Sequence, residues 1–383
     1  MSRPRRVAII GAGLGGLAAA CALADYGFVG EVVIIDAKTG FRNDRTWCWW
    51  DVPGVPFRDE VSHRWHAWSV GTEGCGAVSR SARHPYIHLS GERYYRLARH
   101  KIEQSLDVRW QWNTSVTGIV DRGDSVLVRS SEAIMSVDIA IDARGQLPFS
   151  SPLVQYFVGE HIRADRPVFQ PDTVRLMDFR YDAHGLAFTY VLPYSTTEAL
   201  VEDTLIGNSV DFPARRAALS AYLARRHGLE RWEVVRGESG VIAMNARAVP
   251  SRPSPRVFLA GAAAGATRAA TGYTYVRAHR HADRLARAII DGEPLRSPGK
   301  WRYRALDALL IAALRHRAID GVRFFTSLFH ATPADALARF MSDASTLADE
   351  AAVITGAASA FAAASMLDPR ARRQVAGLTI APA

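Results

Sequence analysis

Short apolar runs and helical stripes alternate along this chain. Val7-Ala8-Ile9-Ile10 is an unbroken apolar tetrad, the pattern of a strand buried on both faces. It leads into Gly11-Ala12-Gly13-Leu14-Gly15-Gly16 and an Ala/Leu-rich stretch to about Tyr26 with high helix propensity. Val32-Val33-Ile34-Ile35 repeats the buried-strand pattern and ends at Asp36. The order strand, glycine turn, helix, strand predicts a βαβ unit of about thirty residues.

Beyond it, Tyr86–Leu89 reads as a short strand and Gly91 to Ile102 as a helix. Val108–Trp112, Val116–Val120, Ser125–Arg129 and Met135–Ile141 read as strands, the last ending in Asp142-Ala143-Arg144-Gly145. Leu186–Leu192 and Ala199–Ile206 flank a turn-rich Pro193-Tyr194-Ser195-Thr196-Thr197, which predicts an antiparallel hairpin. Residues 212–227 read as a helix. Val257–Ala260 is a second short apolar strand entering glycines, Gly261-Ala262-Ala263-Ala264-Gly265, followed by Thr271-Gly272-Tyr273 and a helix to Ile290. From about residue 300 the pattern is helical: Leu306, Leu309, Leu310, Ala313 and Leu314 form an apolar stripe, and Thr332-Pro333-Ala334-Asp335 is a helix start. The chain after Pro369 is expected to be frayed. The organisation expected is 1–82 for the first part of a dinucleotide-binding module, 83–150 for a segment shared between that module and the substrate region, 151–249 for a substrate sheet, 250–295 for the module's last part, and 296–383 for a helical tail.

The 383 residues are 48% hydrophobic and 22% charged, which fits a folded globular protein rather than a disordered one. No uninterrupted apolar run reaches the ~18 residues of a membrane span. The basic-then-apolar start ends in a glycine loop, not a cleavage site, so it reads as a strand rather than a signal sequence. Cys21, Cys48 and Cys75 have no metal-ligand spacing, which points to a reducing, cytoplasmic setting without disulfides or zinc. Arg supplies nearly all the positive charge behind the net +9, with Lys only at 38, 101 and 300. The charges do not cluster and no nucleic-acid motif is present; the first reading is a bias toward Arg with ordinary solubility, and attraction to an anionic membrane surface is the best-supported alternative.

Gly11, Gly13 and Gly16 match G-x-G-x-x-G, in which the first glycine makes the turn, the second admits a pyrophosphate and the third packs helix on strand. Asp36, twenty residues past Gly16, stands where a carboxylate accepts ribose hydroxyls. An N-terminal unit of this kind, with a second glycine-rich strand–helix junction near Gly261, Gly265 and Thr271-Gly272, is the layout of FAD-dependent proteins. Ala262 stands where many flavin hydroxylases carry an acid.

At this point the chain resembles the flavin-dependent lycopene cyclases of the bacterial β-cyclase type. The resemblance rests on Asn43-Asp44-Arg45-Thr46-Trp47-Cys48-Trp49-Trp50, Asp142-Ala143-Arg144-Gly145, Gln155 with Gly159, Met177-Asp178-Phe179-Arg180, Phe188 to Pro193, Leu200-Val201-Glu202-Asp203-Thr204, Glu238-Ser239-Gly240 and Thr271-Gly272-Tyr273. It implies an α/β, FAD-binding Rossmann-like fold with an inserted antiparallel substrate sheet and a C-terminal helical region. It also implies a cofactor site of Gly11, Gly13, Gly16, Asp36, Arg45, Thr46, Asp142, Gly145, Gly261, Thr271, Gly272 and Tyr273. The chain departs from the family at Ala243 and at Arg268-Ala269-Ala270.

The activity implied is closure of the acyclic ψ-ends of lycopene to β rings, an isomerisation on reduced FAD with NAD(P)H as indirect reductant, by a peripheral enzyme on the inner face of the membrane. Such chemistry needs a positioned acid, a stabilised cation and exclusion of water. Glu202 is the expected acid; strand alternation puts it on one face with Leu200 and Thr204 and turns Asp203 the other way. Asp203 is expected to orient it, and Glu238 is a second candidate acid. Trp49, Trp50, Trp65 and Trp68 are read as core before cavity wall. His84 and His88 do not form a helical ligand pair, and His279 and His281 are placed on the surface. The tail around Leu306–Leu314 and Val322–Phe329 is either a membrane-docking face or core. The rival activity is an FAD-dependent monooxygenase or other oxidoreductase; a flavin carrier without catalysis is the non-enzymatic alternative.

Overall fold

A computed structural model describes residues 5–145, 151–208 and 211–364; the expectation for the segment after Pro369 lies outside them. The βαβ unit forms as predicted: β1 (Arg6–Ile10), α1 (Leu14–Asp25) and β2 (Glu31–Ile35). With β8 (Asp107–Gln111), β12 (Ile139–Asp142) and β18 (Val257–Leu259) the strands make a five-stranded parallel sheet in the order β18-β12-β1-β2-β8. Its central strands are buried on both faces, which is why they read as unbroken apolar runs. The apolar run that looked like one strand over 135–141 is two. Asp138 takes the backbone N–H groups of Arg5 and Arg6 and divides it, so β11 (Ile134–Val137) joins a small antiparallel sheet with β9 (Val116–Asp121) and β10 (Val126–Ser130).

A second small sheet holds β3 (Thr46–Trp50), β4 (His63–Trp65) and β7 (Tyr86–Ser90) in the order β3-β7-β4. The large sheet has seven strands in the order β17-β13-β16-β15-β14-β5-β6, comprising β5 (Ala67–Thr72), β6 (Cys75–Arg80), β13 (Leu153–Arg163), β14 (Thr173–Arg180), β15 (Gly185–Pro193), β16 (Glu198–Gly207) and β17 (Glu233–Met244). The predicted hairpin is β15–β16, paired antiparallel with Tyr190 opposite Glu202. β16 is therefore an inner strand.

The helices are α2 (Gly91–Ser105), α3 (Phe212–His227), α4 (Tyr275–Ile290), α5 (Trp301–Arg315), α6 (Gly321–Ala331), α7 (Ala334–Met341) and α8 (Leu347–Ala364). α1 and α4 pack together beside the parallel sheet, while α6, α7 and α8 form a tail layer. Trp49, Trp50, Trp65 and Trp68 are all core residues.

Two expectations are corrected. His279 and His281 are buried, at 3% and 0% exposure, because α4 is enclosed on most of its circumference. Burial pushes both imidazoles down to about 3. And α8, at 18 residues and mean hydropathy 1.3, is long and apolar enough to cross a membrane by length and composition. The sequence did not present it as such because Asp349 and Glu350 interrupt its start. Both acids are buried in ion pairs, Asp349 with Arg339 at 2.6 Å and Glu350 with Arg302 at 2.8 Å.

Candidate active site

One cavity of about 640 Å³ runs from the glycine turn after β1, past the face of the seven-stranded sheet, to the tail helices. At its first end the three motif glycines divide the work as their spacing implies. Gly11 has φ +103° and donates to the Ile35 carbonyl. A Cβ on Gly16 would lie 1.9 Å from the Gly11 carbonyl oxygen, so this position tolerates no side chain, whereas nothing lies within 4 Å of the corresponding point on Gly13. Gly13 and the first residues of α1 open onto the cavity, and no side chain caps α1. Uncapped N–H groups at a helix start are suited to a pyrophosphate, so the residues present fit a dinucleotide. Asp36 closes the unit: its carboxylate accepts Ala12 N–H at 2.6 Å and Lys38 N–H at 2.8 Å, and each oxygen keeps acceptor capacity for a ribose hydroxyl.

Arg45, Thr46, Gly145, Thr271, Gly272 and Tyr273 line the same cavity, as do the departures Ala243 and Arg268. Five expected cofactor residues do not: Gly11, Gly16 and Asp36 of the βαβ unit, Asp142 and Gly261. Asp142 is engaged by Arg144, whose Nη2 donates at 2.7 Å. Gly261, at φ +59°, packs so tightly on Gly15 that a Cβ would lie 2.7 Å from the Gly15 Cα; it locks the late junction onto α1 and does not face the cavity. Gly15 was an unassigned partner of that contact.

On the large sheet, Tyr190, Glu202, Gly159 and Glu238 stand in register on four adjacent strands, β15, β16, β13 and β17. All but Gly159 line the cavity. Glu202 accepts only the Thr204 hydroxyl, at 3.1 Å. Burial, and next the charge of Glu238, push its carboxyl up to about 8, so it holds a proton at neutral pH. Glu238 is differently placed: Arg236 Nη1 donates to it at 2.6 Å and the Thr46 hydroxyl at 3.0 Å. It thus sits in a charge-assisted ion pair. Asp203 lies on the opposite face, fully buried between Arg180 and Arg215, and does not touch Glu202.

A chain of phenols faces the acid. Tyr86 is hydrogen-bonded to Tyr190 and to Tyr273, each at 2.9 Å between hydroxyls, and burial keeps all three well above the ordinary phenol range. Trp50 packs edge-on against Tyr86 at 4.8 Å. The sequence signalled the tryptophans and Tyr273, but not that Tyr86 and Tyr190 join it in one hydrogen-bonded chain, because the three lie in separate segments. Much of the apolar wall comes from the tail, with Leu310, Phe324, Phe325, Phe329 and Phe340 among others, and part from the sheet, as Phe157, Met177 and Phe188. Arg268 anchors the tail to the Thr271–Tyr273 turn, donating to Asp307 at 3.3 Å and to the Phe340 carbonyl at 2.7 Å. Among the described residues, no three His, Cys, Asp or Glu side chains gather where they could hold a metal ion.

Solved structures share this architecture, some of them described with a flavin. A geranylgeranyl bacteriochlorophyll reductase-like protein from Thermoplasma acidophilum matches at TM-score 0.63 and 13% identity, over 98% of this chain and all of that one. The halogenase PltM in complex with phloroglucinol and FAD matches at TM-score 0.56 and 13% identity, over 97% and 90%. The fold is therefore of the FAD-binding Rossmann type. Among curated proteins, lycopene beta-cyclase of Pantoea ananas is 25% identical over 353 residues, covering 85% of this chain and 87% of its own. Lycopene beta-cyclase of a Paracoccus species is 28% identical over 276 residues, covering 67% and 69%. The family described as lycopene cyclase protein matches residues 6–367, nearly the whole length, and the chain belongs to the lycopene cyclase family.

Proposed function

We propose that the protein is a flavin-dependent lycopene β-cyclase, closing the ψ-ends of lycopene or a related acyclic carotenoid to β rings. The observation that carries this reading is a carboxyl with one hydrogen-bond partner, Glu202, on the wall of an otherwise largely aromatic and aliphatic cavity, where desolvation favours its protonated form. Glu202 delivers its proton to the terminal double bond, and an internal double bond closes on the resulting tertiary cation. One proton enters and one leaves, so product and substrate share a formula, as befits an isomerase. The faces of Trp50, Tyr86, Tyr190 and Tyr273 are suited to stabilise the cation, and the phenylalanines of α6 and α7 exclude the water that would quench it. Gly13, the start of α1, Asp36, Arg45, Thr46 and the Thr271–Tyr273 turn would hold FAD. Reduced FAD, when bound, supplies a negative charge beside the cation, with NAD(P)H as its indirect source of electrons.

The substrate class implies a lipid surface, and the reading extends to a cytoplasmic protein seated peripherally on the inner face of the membrane. In support, Leu309 of α5 and Ile354 of α8 line the cavity yet are 38% and 50% exposed, which marks its mouth. Trp301 and Leu347 add exposed apolar surface on the same two helices, at 64% and 75%. Expression in a lycopene-accumulating host, with pigment chromatography, tests the activity: cyclic carotenoids should replace lycopene, and unchanged lycopene beside FAD-loaded protein would refute it.

A further inference from the structure

Glu202 on β16 and Glu238 on β17 are both registered opposite Gly159 on the strand between them. A Cβ on Gly159 would lie 3.4 Å from Glu202 Cγ and 3.3 Å from Glu238 Cγ, so both side chains lean over the notch that the glycine leaves. Two carboxyls enclosed this closely do not both ionise cheaply, and the proton they retain belongs in the first instance to the pair. Something must break the symmetry. The other titratable groups near them are uncharged, namely Cys48 on β3, Tyr190 on β15 and Tyr194 just after it, while Asp203 lies behind β16 in its own arginine pairs.

The asymmetry comes from Arg236. It lies two residues before Glu238 on β17 and so on the same face. Its Nη1 donates to Glu238 and its Nη2 donates to Thr46 Oγ1 at 2.9 Å, while the Thr46 hydroxyl donates to Glu238 in turn. Nη1 also reaches the Asn43 carbonyl at 3.4 Å. The guanidinium is thus fixed against the segment before β3 and aimed at one carboxylate of the two. Glu202 has no equivalent clamp, only the Thr204 hydroxyl. We propose that Arg236 is a positioning residue that assigns the single proton of the Glu202/Glu238 pair to Glu202. This deepens, and rests on, the reading of Glu202 as the acid: without Arg236 the proton would be divided between a productive and an unproductive site.

The proposal is tested by infrared difference spectroscopy of the FAD-loaded protein without substrate, following the C=O stretch of a protonated carboxyl at neutral pH. The wild type should show a band that Glu202→Gln removes. In the Glu202→Gln background, Arg236→Gln should restore a protonated-carboxyl band, now that of Glu238, and adding Glu238→Gln should abolish it. Arg236→Lys in the same background keeps the charge and should leave the band absent. If Arg236→Gln fails to load FAD, Arg236→Met, of similar length, replaces it. No band in the doubly substituted protein, or one that persists after Glu238→Gln, would overturn the proposal. The spectra need no product, so they answer even if the protein closes no ring, and a failure of the cyclase reading is seen separately in the pigment assay.

Discussion

Glu202 and Asp203 are neighbours in sequence and face opposite sides of β16, one into the cavity and the other into a buried cluster with Arg180 and Arg215. Asp182 bridges the same two arginines, at 3.0 and 2.8 Å. This placement predicts that Asp203 acts on the fold rather than on the chemistry. Asp203→Ala should lower unfolding stability by about 3 kcal/mol, since removal of one partner leaves buried charge behind. Turnover per FAD-loaded molecule should stay within a few-fold of wild type. Denaturant unfolding and turnover on the same preparation check this; a hundredfold loss of turnover at unchanged stability would contradict it.

The raised Glu202 carboxyl fixes the sign of the pH dependence. An acid that must be protonated loses activity as pH rises through about 8. Glu238→Gln removes the like charge and should move that limb to lower pH. Stability follows the same direction: the folded protein keeps the Glu202 proton and the unfolded chain, near its ordinary 4.5, releases it. Glu202 thus contributes a fall in stability as pH rises from about 4.5 to about 8. Thermal unfolding across this window should be flatter for Glu202→Gln.

Gly13 and Gly16 should fail differently. A methyl on Gly13 meets no protein atom but occupies the approach to the start of α1, so Gly13→Ala should fold and lose FAD. At Gly16 it meets the Gly11 carbonyl oxygen, so Gly16→Ala should destabilise the apoprotein as well. Flavin absorbance after purification, together with the melting curve of the apoprotein, separates the two.

Leu309→Glu and Ile354→Glu place charge at the cavity mouth, where both side chains are exposed. Each should weaken co-sedimentation with anionic vesicles severalfold and leave FAD loading intact. Binding equal to wild type would place the lipid contact elsewhere.

Much of this was legible in the sequence because local rules agree with the fold there. The apolar tetrads at Val7 and Val32, the glycine spacing and Asp36 fix the βαβ unit, and alternation along β16 separates Glu202 from Asp203. What was not legible depends on register between distant strands. Gly159 has meaning only because Glu202 and Glu238 both pair with it. Arg236 was within reach, since it is two residues from Glu238 on one strand, but its aim at Thr46 was not. His279 and His281 looked polar beside arginines, yet their burial is set by what packs on α4. The tail was ambiguous for a related reason: Phe324, Phe325 and Phe329 are buried at the cavity, while Leu309 of α5 and Ile354 of α8 line it and are exposed, as is Val241 of β17.

The central claim is ring closure started by a proton from Glu202. The most direct measurement is anaerobic conversion of lycopene by the purified, FAD-loaded and reduced protein in D2O, with mass analysis of the product. A cyclised product isobaric with lycopene in H2O and heavier by one deuterium per ring in D2O is predicted, with conversion falling by roughly 10²–10⁴-fold in Glu202→Gln at unchanged FAD content. A product that gains oxygen or hydrogen, or a Glu202→Gln protein that cyclises at the wild-type rate, would contradict the account.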